Sequence, residues 1–187
     1  MTFDEYVSYF EDILKNTAQH ELYATNEDYL NYTKLNWSRM NRWLKKFEAS
    51  EDMKLCIDRI KDSQHWIVIT EPWCGDAAHS VAQLYNIVKN SPYIDLDIQL
   101  RDSEPFLIDD YLTNGGKSIP KLIIRNDVGH DKVIWGPRPF ELQLLFENMK
   151  NEERPFEEIK EALQRWYNED QGKAIQKELI ELLAEFN

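Results

Sequence analysis

Cysteine is scarce in this chain: 187 residues carry two, Cys56 and Cys74. Eighteen positions apart, they are too few for a disulfide framework, and a reducing, cytoplasmic setting fits that usage. Histidine is also sparse, with four, and no Cys/His cluster has zinc-ligand spacing, so no metal and no bound cofactor is expected. No apolar run approaches the roughly 18–20 residues of a membrane span. The opening MTFDEYVSYFEDIL carries early acids and no basic n-region, which argues against a secretory leader. Cations are the minority, 22 against 34 acids, for a net charge of −12. A phosphate backbone demands clustered cations, so a nucleic-acid partner is not expected, and neither is an anionic membrane surface. Lys45-Lys46 is too short a basic patch to change this, and the charge is read as solubility.

What the chain has is apolar and aromatic mass: 42% hydrophobic residues, with six Trp, nine Tyr and eight Phe. Residues 1–61 are predicted to be helical. Thr2 can cap a first helix with Phe3, Tyr6, Val7, Phe10, Ile13 and Leu14 on one stripe. A polar stretch around Gln19–Asn26 breaks it. A second helix over Glu27–Phe47 aligns Leu30, Thr33, Trp37, Met40, Trp43, Leu44 and Phe47, a stripe suited to a core or a subunit interface. Ser50, followed by two acids, caps a third helix bearing Met53, Cys56, Ile57 and Ile60.

From His65 the period changes. His65–Thr70 is a β-branched run suited to a buried strand, and an Ala-rich helix extends to about Asn90 after Glu71-Pro72-Trp73-Cys74-Gly75. Ile94–Leu100 alternates with period two. Phe106–Leu112 reads as a short helix stopped by Asn114-Gly115-Gly116. Ile119–Arg125 and Lys132–Trp135 read as a hairpin, and a helix follows over Phe140–Lys150. Asn151–Arg154 is a linker, and two amphipathic helices, 156–167 and 173–186, are separated at Gly172. The fold class is therefore α/β, a mixed sheet flanked by helices. The expected organisation is an N-terminal helical extension (1–61), an α/β domain (62–150) and a C-terminal helical extension (151–187) packed on it. Gly115-Gly116-Lys117-Ser118 has the closing letters of a phosphate loop but precedes a strand, so it is rejected as one.

Trp73-Cys74-Gly75-Asp76-Ala77 follows a buried strand and opens a helix. A thiol placed there meets the partial positive charge of the helix N-terminus and unpaired backbone N–H groups, which favours the nucleophilic thiolate. The run resembles the start of the Trp-Cys-Gly-Pro-Cys motif of the thioredoxin-like superfamily. Pro120 after Ile119 stands where thioredoxins carry a cis-proline facing the active site, and Gly136 where they carry a glycine after the last strand. The resemblance covers residues 62–150 and implies a thioredoxin fold and thiol–disulfide chemistry.

The departures are informative. The position of the second cysteine is Ala77, that of the motif proline is Asp76, and that of the buried carboxylate, six before the first cysteine, is Val68. An internal cysteine pair cannot operate here. What the resemblance then implies is a monothiol protein of cell redox homeostasis with Cys74 as nucleophile. Trp73, Gly75, Asp76, Ala77, Ile119 and Pro120 would form a groove for protein or small-molecule disulfides. The only co-substrate implied is a low-molecular-weight thiol such as glutathione, and the added helices would cover the sheet or form a homodimer. Other readings stand beside these. Cys74 can be an inherited thiol on a redox-silent binding or scaffold module. Cys56 reads as a core residue, or else as a distant resolving thiol. Asp76 reads as a first-turn acid or a proton-transfer group, and Trp73 as a platform or simple packing. His79, about 140° round the helix from Cys74, is not an automatic partner. Arg101, at the end of a core strand, is the candidate cation.

Overall fold

A computed structural model describes residues 1–186. Helix α1 (Phe3–Lys15) opens on a reciprocal capping box, in which Thr2 Oγ1 accepts the Glu5 N–H and the Glu5 carboxylate accepts the Thr2 N–H. Phe3, Tyr6, Phe10 and Ile13 are buried along its stripe. The polar stretch after it is more ordered than its composition suggests. A 3-10 turn at Thr17–Gln19 leads into a short helix, α2 (Glu21–Thr25), anchored by buried Tyr23 and by a His20–Asp12 contact of 2.8 Å. Asn26 caps α3 (Glu27–Lys46), and Ser50 caps α4 (Glu51–Arg59). Met40, Trp43 and Phe47 enter the chain's own core, with Trp37 packed against it.

Strand β1 (Gln64–Thr70), helix α5 (Ala77–Val88) and strand β2 (Ile94–Leu100) form a βαβ unit, and β3 (Lys121–Asn126) with β4 (Asp131–Trp135) forms a hairpin. The sheet order is β2-β1-β3-β4, with β1 parallel to β2 and the other neighbours antiparallel. Val68 sits opposite Ile98 on one side and Leu122 on the other. Every β1 residue except His65 is buried, as a strand covered on both faces requires. The helix expected over Phe106–Leu112 shrinks to a 3-10 turn at Leu107–Asp110, because Phe106 holds a left-handed backbone (φ 55°) after a proline. Strand β3 starts at Lys121 rather than Ile119, since Pro120 has no N–H to give the ladder.

Three helices close the chain: α6 (Phe140–Asn151), α7 (Phe156–Asp170) and α8 (Lys173–Phe186). Helix α8 packs on α4 and β4 and places Ile175, Leu179 and Leu183 in the main core. Helices α6 and α7 instead pack on each other around Leu142, Ile159, Leu163 and Tyr167, a smaller second core. The break between α7 and α8 falls at Gln171 and Gly172, both at positive φ. A Cβ on Gly172 would lie 2.6 Å from the Phe47 ring, so the close approach of that joint to α3 requires glycine.

Candidate functional site

The site is built at the carboxyl end of β1. The Cys74 N–H donates to the Glu71 carbonyl (3.1 Å), and the Cys74 carbonyl accepts the Ala78 N–H (3.2 Å), so the turn delivers Cys74 immediately ahead of α5. The N–H groups of Asp76 and Ala77, at the start of the helix, are the backbone donors that favour a charged Cys74 sulfur. On its other side the thiol donates to the Ile119 carbonyl at 3.3 Å. The Ile119–Pro120 peptide is cis, and both residues are buried. Gly136, at φ +107°, closes the far side of that loop: a Cβ there would lie 2.3 Å from the Pro120 carbonyl oxygen. Cys74, Ile119, Pro120 and Gly136 are thus brought together although 62 positions separate the first from the last.

The electrostatics differ from expectation. Cys74 is 8% exposed. Burial, and then the Asp76 charge, push its thiol up to about 12, against the pull of the Ala77 and Asp76 N–H groups and of Arg138. The reversal has a simple cause. A helix terminus supplies up to about 2 kcal/mol for a partly buried charge, whereas burying a group shifts its pKa by up to about 3–5 units. At neutral pH the resting sulfur is a thiol.

Asp76 is more than a first-turn acid. One carboxylate oxygen pairs with Arg138 Nη2 at 2.7 Å, and the other accepts the Tyr167 hydroxyl at 3.0 Å. Burial still pushes this carboxyl above its ordinary value, against both partners. The cation acting on the sulfur is therefore Arg138, from the loop between β4 and α6. Arg101, the cation expected from sequence, instead lies 4.5 Å over the Trp73 ring and binds Asp102. That contact and an edge-on Tyr29 ring at 5.4 Å hold Trp73 half-buried. Gly75 faces Gln164 and Arg39, and Ala77 is buried in the core. Cys56 is a free, half-buried thiol on α4, itself pushed up by burial.

His79 belongs to a buried network behind the motif. Trp43 Nε1 can only donate, so His79 Nδ1 accepts from it at 2.8 Å. The hydrogen then sits on Nε2 and goes to Gln164 Oε1, also at 2.8 Å. The imidazole stacks on Tyr167 (4.1 Å, 5°), and burial pushes its pKa down to about 3. Glu71 is the other buried titratable group. Its carboxylate accepts the Asp102 N–H at 3.0 Å, its charge acts on Tyr6, Tyr9 and Tyr23, and burial pushes it up to about 7.

Arg138, Tyr167, Gln164 and Glu71 are the site residues that sequence reasoning missed. Tyr167 had a signal, since it continues the four-residue spacing of Ile159 and Leu163. Arg138, between two prolines, had none. Among the described residues no group of three or more His, Cys, Asp or Glu is placed to hold a metal ion, and no helix is long and apolar enough to cross a membrane. A groove of about 480 Å³ opens between α4 and the end of α5, over Ile57, Ile60 and Ile87, and contains no motif residue.

A family model described as thioredoxin matches residues 23–150, so it also spans α3 and α4. No curated protein matches the chain in sequence. A Pseudomonas aeruginosa protein of unknown function has a similar structure at 15% identity, with a TM-score of 0.61 over 82% of this chain and 86% of that one. An HIV epitope scaffold is similar at 15% identity, with a TM-score of 0.58 over 88% of this chain and 96% of the scaffold. At such identities the likeness is one of fold.

Proposed function

This chain belongs to the thioredoxin family, and we propose that within it the protein acts as a monothiol, exchanging disulfides through Cys74. The observation that carries the reading is the position of the sulfur. It lies between the backbone N–H groups that begin α5 and the Ile119 carbonyl beside the cis proline. A thiolate formed there is met by donors, and a disulfide partner would dock along Ile119-Pro120 to reach it.

The chemistry balances without a second cysteine. Cys74 loses its proton and attacks one sulfur of a disulfide. The new Cys74–S–S–R bond forms as the old S–S bond breaks, and the departing thiolate takes up a proton. A low-molecular-weight thiol then attacks the R sulfur, leaves as a new mixed disulfide and returns Cys74 to the thiol. The substrate class is a protein or small-molecule disulfide. Trp73, Gly75, Ile119 and Pro120 would border the partner, the Asp76 and Ala77 N–H groups would hold the thiolate, and the Asp76 carboxylate would restrain its formation.

One observation favours a second reading, a redox-silent binding module: the thiol pushed up to about 12, with Ala77 where a resolving thiol would stand. Exposure to a small disulfide followed by intact-mass measurement separates the two. A mixed disulfide on Cys74, lost in Cys74→Ser and released by added thiol, is the expected result. Partner binding unchanged by Cys74→Ser, with no adduct in the parent, would establish the silent module instead.

A further inference from the structure

Helices α6 and α7 are attached to the molecule differently from its other long helices. Their aliphatic residues close on one another around Leu142, Ile159 and Leu163, whereas α1, α3, α4, α5 and α8 all feed the main core. What holds α7 to the body is polar or stacked. The Tyr167 ring lies on His79 and its hydroxyl donates to Asp76. Gln164 accepts from His79, and Asn168 accepts from Arg42 at 2.6 Å. Lys160 donates to the Tyr32 hydroxyl.

These contacts fall on the neighbours of the reactive sulfur. A side chain on Gly75 would meet Gln164 Nε2 at 3.6 Å, and the Tyr167 hydroxyl sits on Asp76. Both ends of the hairpin are tied to fixed elements through non-helical joints. One is Gly136-Pro137-Arg138-Pro139 after β4. The other is Gln171-Gly172, at φ 57° and 79°, before α8.

We infer that the α6–α7 hairpin is a cap resting on the Cys74 turn, which lifts off as a unit between these two joints and so admits a disulfide to the sulfur. The inference rests on the monothiol reading of Cys74 and supplies its regulation: the closed form stores an unreactive thiol, and the open form presents a reactive one. Lifting the cap breaks few aliphatic contacts with the main core, so the hairpin opens well before the sheet does. Arg138, in the joint, pairs with Asp76 at 2.7 Å but also donates to Gln143 Oε1 at 2.9 Å and lies 4.2 Å over the Phe146 ring of α6, so lifting the cap breaks either that pair or those two contacts.

Two conservative variants test it, both made in a Cys56→Ser background so that Cys74 is the only thiol. Tyr167→Phe keeps the stack on His79 and deletes the bond to Asp76, and Gln164→Ala deletes the partner of His79. Losing one hydrogen bond of ordinary strength raises the open fraction about fivefold. Alkylation of Cys74 by iodoacetamide is therefore expected to quicken about fivefold in each variant. Native-state amide exchange in α6 and α7 should rise by a similar factor while that of β1 and α8 stays unchanged. Unchanged alkylation in both folded variants, or hairpin amides that exchange only together with β1, would overturn the cap. The two readings also fail separately. Faster alkylation without any mixed disulfide upholds the cap and ends the exchange reading, whereas mixed disulfides formed at the parent rate in both variants end the cap alone.

Discussion

Replacing Asp76 by Asn probes the balance that sets the state of the sulfur. In the folded chain the Asp76 charge is the second cause, after burial, of the raised Cys74 thiol, and Arg138 opposes it. Asn keeps the shape and an oxygen to accept the Tyr167 hydroxyl, but removes the negative charge and leaves the Arg138 guanidinium unpaired. Two unit charges a few ångströms apart interact by about 3 kcal/mol at an effective dielectric of about 20. One pKa unit is about 1.4 kcal/mol, so full removal corresponds to about two units, and solvent reaching Arg138 reduces this towards one. The midpoint of Cys74 is expected to fall by that amount, and the thiolate fraction at pH 8 to rise about 10- to 100-fold. The assay is the alkylation rate against pH, in a Cys56→Ser background. The midpoint is the readout, and amide exchange in α6 and α7 of the same variant separates the charge effect from easier opening of the cap, which would also lower the midpoint by exposing the sulfur. Stability should drop by about 3–5 kcal/mol, the usual result of stranding one member of a buried ion pair. A folded variant whose midpoint stays at the parent value, or rises, would refute the electrostatic reasoning.

Other consequences follow from the same contacts. Gly136→Ala places a Cβ 2.3 Å from the Pro120 carbonyl oxygen at φ +107°, so the loop facing Cys74 must shift. Strain and overpacking together should remove about 2–5 kcal/mol in urea unfolding, and a loss under about 1 kcal/mol would contradict the fit. Glu71 and His79 act oppositely on stability as pH changes. The raised Glu71 carboxyl, about 7 when folded against 4.5 ordinarily, contributes stability that is full below pH 4.5 and is lost as pH rises to 7. The lowered His79, about 3 against 6.5, contributes stability that is full above pH 6.5 and is lost as pH falls towards 3. The two slopes, each about 1.4 kcal/mol per pH unit, offset one another between pH 4.5 and 6.5. Glu71→Gln should unmask the His79 slope in that window, and a pH profile parallel to the parent would contradict the assignment.

What the sequence showed, it showed through local rules. The caps at Thr2 and Ser50, the apolar run of β1, the alternation of β2 and the break at Gly172 each depend on residues within a few positions of one another. The helical start after Cys74 was legible for the same reason, whereas Pro120 as the proline of the facing loop was legible only through the resemblance to thioredoxins. What it hid is set by long-range packing. The Tyr167–Asp76 bond joins residues 91 apart, and the Asp76–Arg138 pair, 62 apart, depends on how β4 exits the sheet. The helix terminus beside Cys74 therefore suggested a lowered thiol, while the burial that wins comes from elements remote in sequence. Glu71 had only one clue, a carboxyl placed directly after the Trp66–Thr70 run of a buried strand. Phe106 escaped notice because nothing in its composition announces a left-handed backbone.

The most direct test of the central claim is the intact mass of the Cys56→Ser protein after incubation with glutathione disulfide at pH 8. One glutathione attached through Cys74, removed again by excess free thiol, is the result expected. A mass that stays unmodified in the native protein, with the adduct appearing only after denaturant exposes the sulfur, would contradict it.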